Sequence, residues 1–125
     1  MKLIATDGAP GPAGHYAQAV VHGELVYVSG QLPVDPATGE KRIGSIEEQT
    51  RQALRNLRAV LVAAGSDLDR VVKTTVYVSD IQLWDRVNAV YATFFGEHRP
   101  ARAVVPTSAL HFGFQIEIDA IAVLC

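Results

Sequence analysis

The chain has 125 residues, of which 49% are hydrophobic and 19% are charged, and its formal net charge at pH 7 is −2. This size predicts one domain, residues 1–125, with its own apolar core, and the single cysteine leaves no internal disulfide. The charge balance gives no basic surface for nucleic acid, and no apolar run suits a membrane span or a secretion signal. We therefore expect a cytoplasmic protein that acts on a small molecule.

The first third of the chain predicts short strands separated by loops. Residues 2–6 are a strand candidate and are followed by a loop rich in glycine and proline. Two β-rich runs, residues 16–22 and 24–29, meet at Gly23, which predicts a hairpin or bend. Residues 31–41 contain too much proline and glycine for a central strand and predict a connection rich in turns.

A first helix is predicted from Ser45 to a stop at Gly65. Ser45 followed three residues later by Glu48 is a capping-box pattern, and apolar residues then recur at steps of three and four. The opposite face carries three arginines. We interpret it as a solvated face whose charges pair with Glu47 and Glu48, in preference to a stripe that binds anions or nucleic acid. These arginines are Arg51, Arg55 and Arg58.

Residues 71–79 predict a strand, and a second helix follows it. Asp80 is the expected cap of that helix, Gly96 its end, and Pro100 prevents its continuation. Strict alternation divides the strand between two faces. One face is assigned Val72, Thr74, Val76 and Val78, and the other is assigned Val71, Lys73, Thr75 and Tyr77.

The last quarter predicts two strands, residues 100–105 and 115–123, each with charge inside an apolar run. The first strand carries Arg102, and the second carries Glu117 and Asp119 on one face beside apolar residues. A solvated face should be polar throughout and a core face apolar throughout. This mixed face therefore indicates a covered surface that holds a polar site.

The order of these elements predicts an α+β architecture, with one sheet and two helices on one of its faces. The other face keeps apolar side chains that a monomer would leave in water, so a closed homo-oligomer is expected to bury them. These side chains are Val71, Tyr77, Ile121 and Val123.

The candidate chemistry rests on Arg102 and Glu117. The four histidines lack the spacing of metal ligands, Ser29 lacks the surroundings of a nucleophile elbow, and no phosphate loop is present, so no metal or cofactor is predicted. Arg102 offers a planar fork that matches the carboxylate of a small molecule. Burial would raise the pKa of Glu117 and suit it to move a proton or orient water. The open alternative is that Arg102 and Glu117 form purely structural ion pairs, either with each other or with a neighbouring subunit.

Several segments along the chain match the sequence motifs of one protein family. Through them the chain resembles the RidA/YjgF family, small enamine and imine deaminases, over essentially its whole length. The segments are Ile4-Ala5-Thr6 with Ala9-Pro10, Gly14-His15-Tyr16-Ala17-Gln18-Ala19, Val28-Ser29-Gly30-Gln31-Leu32-Pro33, Val72-Lys73-Thr74-Thr75-Val76-Tyr77-Val78, Val87-Asn88, Pro100-Ala101-Arg102 and Ile116-Glu117-Ile118-Asp119-Ala120-Ile121-Ala122.

This resemblance implies a chorismate-mutase-like fold assembled as a homotrimer, with clefts between subunits. It implies that Arg102 binds the substrate carboxylate and that Glu117 positions or activates the hydrolytic water. It also implies further pocket positions. These are Tyr16, which closes the pocket, Ser29 and Gly30, which line it, and Val104, whose backbone serves the water site; Asn88 also matches and is interpreted as structural.

The implied reaction is hydrolysis of 2-imino acids, formed from enamines such as 2-aminoacrylate, to 2-keto acids and ammonia. Since the imine carbon is already electrophilic, binding and a placed water suffice, and no cofactor is implied.

The chain departs from the family at two places. Val104 stands where the family often has cysteine, which leaves a backbone role intact. Residues 108–114 lack the Leu-Pro pair of many members. His111 and Phe112 in this segment are expected to reshape the pocket, and an acidic aromatic-derived enamine such as 2-aminomuconate is an alternative substrate. Packing of Phe112 and Phe114 at an interface is the competing interpretation.

Two other functions compete with the deaminase. One is a trimeric binding or regulatory protein that holds a carboxylate metabolite without turnover. The other is RNA cleavage, which the acidic charge balance disfavours.

Overall fold

The computed structural model describes residues 1–125 and contains six strands and two α-helices. Three short 3₁₀ helices, Leu68–Arg70, Ile81–Leu83 and His111–Gly113, lie between them. The main elements are β1 (Lys2–Ile4), β2 (Ala19–His22), β3 (Leu25–Gln31), α1 (Ile46–Ala64), β4 (Val71–Val78), α2 (Trp84–Phe95), β5 (Ala101–Pro106) and β6 (Ile116–Val123).

The six strands form one mixed sheet in the order β1-β2-β3-β6-β4-β5. Only β4 and β5 are parallel, because α2 carries the chain between them, as a parallel connection requires. β2 and β3 form the hairpin predicted at Gly23, whose φ of 62° suits glycine. The predicted α+β architecture with one sheet and two helices is confirmed. Neither helix has the length and apolar character needed to cross a membrane.

Helix α1 begins and ends as its sequence predicts. The Ser45 hydroxyl accepts a hydrogen bond from the Glu48 backbone N–H at 3.2 Å, and Gly65 adopts the left-handed conformation at the other end. Its apolar stripe packs on the sheet in a single core. The buried Asn56 donates hydrogen bonds to the carbonyls of Leu32 and Val34, at 3.0 and 2.9 Å. This anchors the connection after β3 against α1.

The acidic residues of α1 pair differently from the prediction. Glu47 pairs with Arg86 of α2, with distances of 2.8 and 2.7 Å, and Glu48 has no ion pair. Arg58 pairs with Asp67, beyond the end of α1, at 3.0 Å. The predicted pairs along α1 are therefore wrong, because tertiary packing brings better-placed partners. The solvated character of the arginine face is right, since Arg51, Arg55 and Arg58 are all exposed.

Strand β4 corrects the predicted faces at its beginning. Val71 is 1% exposed and Val72 is 44% exposed, the reverse of the alternation expected from the sequence. The pairing of β4 with β6 shifts register between Val71 and Lys73, and such a bulge reverses the direction of the side chains before it. Val71 therefore belongs to the core and not to the uncovered face.

The start of α2 also differs from the prediction. Asp80 accepts a hydrogen bond from Gln82 N–H at 2.9 Å and caps the 3₁₀ helix Ile81–Leu83, while α2 itself begins at Trp84. Its buried residues include Phe95, whereas the neighbouring Phe94 is only partly buried. The 3₁₀ helix lies between Asp80 and α2. The capping residue therefore predicts a start for α2 that is earlier than the observed one.

Both helices cover one face of the sheet, and β6 shows the division between faces. Its residues alternate between buried and half-buried, with Ile116 and Ile118 toward the helices and Glu117 and Asp119 on the opposite face, as predicted. Tyr77 shares that open face and donates a hydrogen bond from its hydroxyl to Asp119 at 3.3 Å. An oligomer that covers this face stays a prediction.

Candidate active site

Glu117 lies near the start of β6, on the open face of the sheet, beside Tyr77 of β4. Its carboxylate is half-buried and forms no ion pair within the chain. Burial raises the pKa of Glu117 above its ordinary value, and the charge of Asp119 raises it further, while His111 acts in the opposite direction. A carboxyl group with a raised pKa holds a proton more readily than an ordinary glutamate and is better suited to accept and return one.

Gly30 of β3 lies directly against this carboxylate. A Cβ atom at position 30 would collide with the Glu117 side chain, so glycine is required for the two residues to approach. The neighbouring Ser29 donates its hydroxyl to the Ala17 carbonyl at 2.7 Å. Ser29 therefore ties β3 to the segment before β2 and presents no free nucleophile.

Tyr16 and Phe112 border a cavity of about 210 Å³ that Gly30 also lines. Tyr16 is 50% exposed, and its hydroxyl oxygen accepts a hydrogen bond from the Ala13 N–H at 3.2 Å. This bond holds the ring at the mouth of the cavity. The structure thus brings together three predicted pocket residues, with Glu117 beside them through Gly30.

The segment that departs from the family, residues 108–114, contributes Phe112 to the lining of this cavity. Phe112 has a φ of 58°, a left-handed conformation that is rare for a bulky residue, and the rings of His111 and Phe112 stack with centroids 4.3 Å apart. Phe114 is buried and meets the Phe112 ring edge-on at 6.1 Å. Phe112 therefore lines the cavity, whereas Phe114 belongs to the interior, and the role of Phe112 in a substrate pocket stays a prediction.

Arg102 of β5 lies in a separate cluster formed with α2. Its Nη1 donates to the Asn88 side-chain oxygen at 2.9 Å, and its guanidinium lies over the rings of Tyr91 and Trp84, at 4.7 and 5.4 Å from their centroids. No carboxylate of the chain pairs with it. The cluster holds the cation in place and leaves its charge available to an external anion.

This cluster contains contacts that the sequence analysis missed. Asn88 was interpreted as structural, but it contacts Arg102 directly, and Trp84 and Tyr91 were not considered as its partners. The spacing of these three helix residues already indicates that they lie together. Trp84, Asn88 and Tyr91 are four and three residues apart, so they share one face of a helix. What the spacing does not reveal is that β5 places Arg102 over that face.

Arg102 and Glu117 lie on opposite faces of the same sheet. Arg102 is aligned with Thr74, whose hydroxyl bonds to Tyr91 on the helix side, and Glu117 is aligned with Tyr77, three residues further along β4. Side chains three apart on a strand face opposite ways. The chain therefore does not bring the two predicted reactive residues together, and they do not pair with each other. Val104 is half-buried on the helix side and packs on the core.

No group of three or more histidine, cysteine, aspartate or glutamate side chains is arranged to hold a metal ion.

Comparison with known proteins matches residues 6–124 to the family described as Endoribonuclease L-PSP. The chain is 47% identical over 122 residues to the 2-iminobutanoate/2-iminopropanoate deaminase of Rattus norvegicus, covering 98% of this chain and 89% of that protein.

Two solved structures share the fold closely. The crystal structure of RidA from the Antarctic bacterium Psychrobacter is 40% identical with a TM-score of 0.95, over 99% of this chain and 100% of that chain. The structure of E. coli TdcF with bound serine is also 40% identical, with a TM-score of 0.95 and 100% of both chains covered. The similarity thus extends over the sequence and the fold alike.

Proposed function

The chain belongs to the RidA/YjgF family, and from that premise we propose that it is a hydrolytic deaminase of reactive 2-imino acids. It converts them, and enamines such as 2-aminoacrylate from which they form, into 2-keto acids and ammonia. The observation that carries the proposal is the unpaired, half-buried carboxylate of Glu117, whose pKa is raised and against which the backbone of Gly30 leaves room. The name of the rat relative supports the same chemistry.

Glu117 supplies the proton transfers of this reaction. Its carboxylate takes a proton from water as the water oxygen attacks the protonated imine carbon, which forms a carbinolamine. The carboxylic acid returns that proton to the amine nitrogen, the C–N bond breaks to release ammonia, and the ammonia takes up the hydroxyl proton as the ketone forms. The products are a 2-keto acid and an ammonium ion. Because the imine carbon is electrophilic from the start, orientation and proton transfer supply the catalysis.

Arg102 binds the carboxylate of the imino acid. Its guanidinium is held by Asn88 and by two aromatic rings but has no anionic partner, so it offers a paired set of N–H donors to a substrate. Since Arg102 and Glu117 lie on opposite faces of one chain, the complete site combines Arg102 of one subunit with Glu117 of the next. A homotrimer with sites between subunits meets this requirement and covers the open face.

The test is consumption of freshly generated 2-aminoacrylate and longer 2-imino acids, followed as keto-acid formation above the rate in buffer. The protein should accelerate it, and Arg102→Ala should abolish the acceleration. Arg55→Ala is the matched control, because Arg55 is exposed on α1 and pairs with no carboxylate. A folded protein that accelerates none of these reactions would overturn the deaminase proposal.

A second candidate is a binding or regulatory protein that holds a small carboxylate without turnover. It is favoured by the structure of TdcF, which contains bound serine. The two functions differ in their need for Glu117. Glu117→Gln should lower deaminase turnover by about 10²–10⁴-fold, the usual contribution of a positioned acid–base group, with keto-acid affinity retained. For the binding protein the wild type has no turnover to lose, and only affinity is measurable.

A further inference from the structure

The cavity beside Glu117 has one charged residue in its lining, Lys41. The remaining lining residues are uncharged, and they include Leu32, Val34 and Phe112. At about 210 Å³ the cavity is smaller than the roughly 300–1,000 Å³ of pockets that enclose a whole drug-sized ligand. Its size and composition suit part of a small molecule, such as the side chain of an amino-acid derivative.

Lys41 has no anionic partner in the chain. Its neighbour Arg42 pairs with two carboxylates, Asp35 at 2.6 Å and Glu40 at 4.0 Å. The Lys41 ammonium instead lies 4.6 Å from the centre of the Phe112 ring. A cation over an aromatic ring keeps its N–H donors free, so Lys41 can still bind an anion that enters the cavity.

Phe112 keeps the Lys41 side chain over the cavity. The left-handed backbone at Phe112 is unfavourable for a bulky side chain, and the stacked His111 ring and the edge of Phe114 fix its ring in that position. An arrangement that is locally unfavourable yet held by its neighbours is typical of ligand sites. Here it places the Phe112 ring next to the Lys41 ammonium, and both residues line the cavity.

Gly30 connects this cavity to the proposed reaction centre, since it lines the cavity and lies against the Glu117 carboxylate. An imino acid whose reacting carbon is at Glu117 can therefore extend its side chain past Gly30 toward Lys41. We infer that the cavity is the side-chain subsite and that Lys41 selects substrates whose side chain ends in a second carboxylate. This inference rests on the proposed deaminase function and names its substrate class, 2-imino dicarboxylic acids.

The experiment compares 2-iminoglutarate with 2-iminopentanoate, which has the same chain length but no second carboxylate. The imines are generated in situ from glutamate and norvaline, and kcat/KM is measured for the whole protein. The wild type should prefer 2-iminoglutarate. Lys41→Met should lower kcat/KM for it by about two- to fivefold, as expected for a charge pair at an exposed lysine, and should leave 2-iminopentanoate nearly unchanged.

Two further variants serve as controls. Lys41→Arg keeps the charge and should keep the preference, and Lys2→Met removes an exposed lysine of β1 and should change neither substrate. Turnover of both imines with no preference, or a preference that survives Lys41→Met, would overturn the role of Lys41 and leave the deaminase proposal standing.

A folded protein that turns over neither imine would count against the deaminase proposal itself. Lys41 is then tested by calorimetric binding of the unreactive keto acids 2-oxoglutarate and 2-oxopentanoate. Tighter binding of 2-oxoglutarate that Lys41→Met abolishes would support the subsite. Equal binding of both keto acids, or no binding, would overturn it.

Discussion

At the residue scale, the site depends on how closely Gly30 and Glu117 approach. Glu117 gains its raised pKa from burial and from Asp119, and the burial is possible only because Gly30 has no side chain. A glycine within a strand weakens the strand, since it packs nothing and loses more backbone entropy on folding than other residues, and Gly30 stands near the end of β3. Its presence in β3 is explained by the space that the carboxylate occupies.

Gly30→Ala should therefore inactivate the protein more than it destabilises it. The added methyl group meets the flexible end of the Glu117 side chain, which must swing away, so the carboxylate leaves its position beside the cavity. We expect a loss of turnover of about 10²-fold or more, the lower end of what a positioned acid–base group supplies, with little change in the melting temperature.

The matched control is Gly11→Ala. Gly11 lines the same cavity, but a Cβ atom there meets nothing within 4 Å. Equal activity of the two alanine variants would show that the approach of Gly30 to Glu117 does not matter for the reaction.

At the scale of single elements, α2 and α1 each contribute to the site by what they hold in place. α2 presents Trp84, Asn88 and Tyr91 on one face, and the parallel pairing of β5 with β4 sets Arg102 against them. α1 fixes the connection after β3 through Asn56 and is joined to α2 by the Glu47–Arg86 pair.

Asn88→Ala should act on substrate binding through Arg102. Without the Asn88 oxygen the guanidinium loses its one side-chain hydrogen bond and can rotate on the aromatic rings, so fewer molecules hold it in the orientation that binds a carboxylate. We expect KM to rise by about five- to twentyfold, the equivalent of about 1–2 kcal/mol, with a smaller change in kcat.

Two comparisons separate positioning from a general structural effect. Asn88→Gln keeps a neutral amide oxygen on the same face of the helix and should retain more affinity than Asn88→Ala. Asp85→Ala, at an exposed position of the same helix, should leave KM unchanged. A KM that is unaltered by Asn88→Ala would show that the hydrogen bond does not position Arg102 for substrate.

The pair between α1 and α2 predicts a specific pH dependence of stability. The Arg86 hydrogen bonds lower the pKa of Glu47 from 4.5 to about 2. A lowered pKa means that the ionised form stabilises the fold, fully above pH 4.5 and progressively less as the pH falls toward 2. Arg86→Met should remove this part of the pH dependence, so the variant and the wild type should converge in stability at the acid end.

Chemical unfolding followed between pH 7 and pH 2 measures this difference, with Arg55→Met as the control for loss of an exposed arginine. Parallel curves for Arg86→Met and the wild type across that range would show that the pair contributes nothing to stability.

At the scale of the whole molecule, the chain presents a divided site and an open face. Arg102 and Glu117 face opposite sides of the sheet, and the open face combines Tyr77 with the two carboxylates and with apolar residues of β6. Both observations support the proposed assembly, in which subunits complete each other's sites.

Complementation between two inactive variants tests this assembly. Arg102→Ala and Glu117→Gln proteins should each be inactive, but subunits mixed while unfolded and then refolded together should regain activity. If each site takes one residue from each of two subunits, random assortment gives about a quarter of the sites both intact residues. Mixing without unfolding is the control for subunit exchange. Restored activity well below this level, from properly refolded protein, would place both residues in one subunit.

The sequence by itself determined most of the elements and pointed to the candidate residues for the chemistry. The capping box at Ser45, the stop at Gly65 and the alternation of β6 are local patterns, and local patterns follow from backbone geometry and hydrophobic periodicity. The charged positions inside two apolar strands pointed to Arg102 and Glu117, and the resemblance to the RidA/YjgF family added the roles predicted for them.

Only the tertiary structure decided which residues meet. The bulge that buries Val71, the pairing of Glu47 with Arg86 and the placement of Asn88 against Arg102 all join positions that are distant in sequence or shifted in register. Such contacts are decided by the packing of strands and helices against one another, which no local pattern encodes. The separation of Arg102 from Glu117 has the same origin, because the face on which a side chain lies depends on the register of its strand in the sheet.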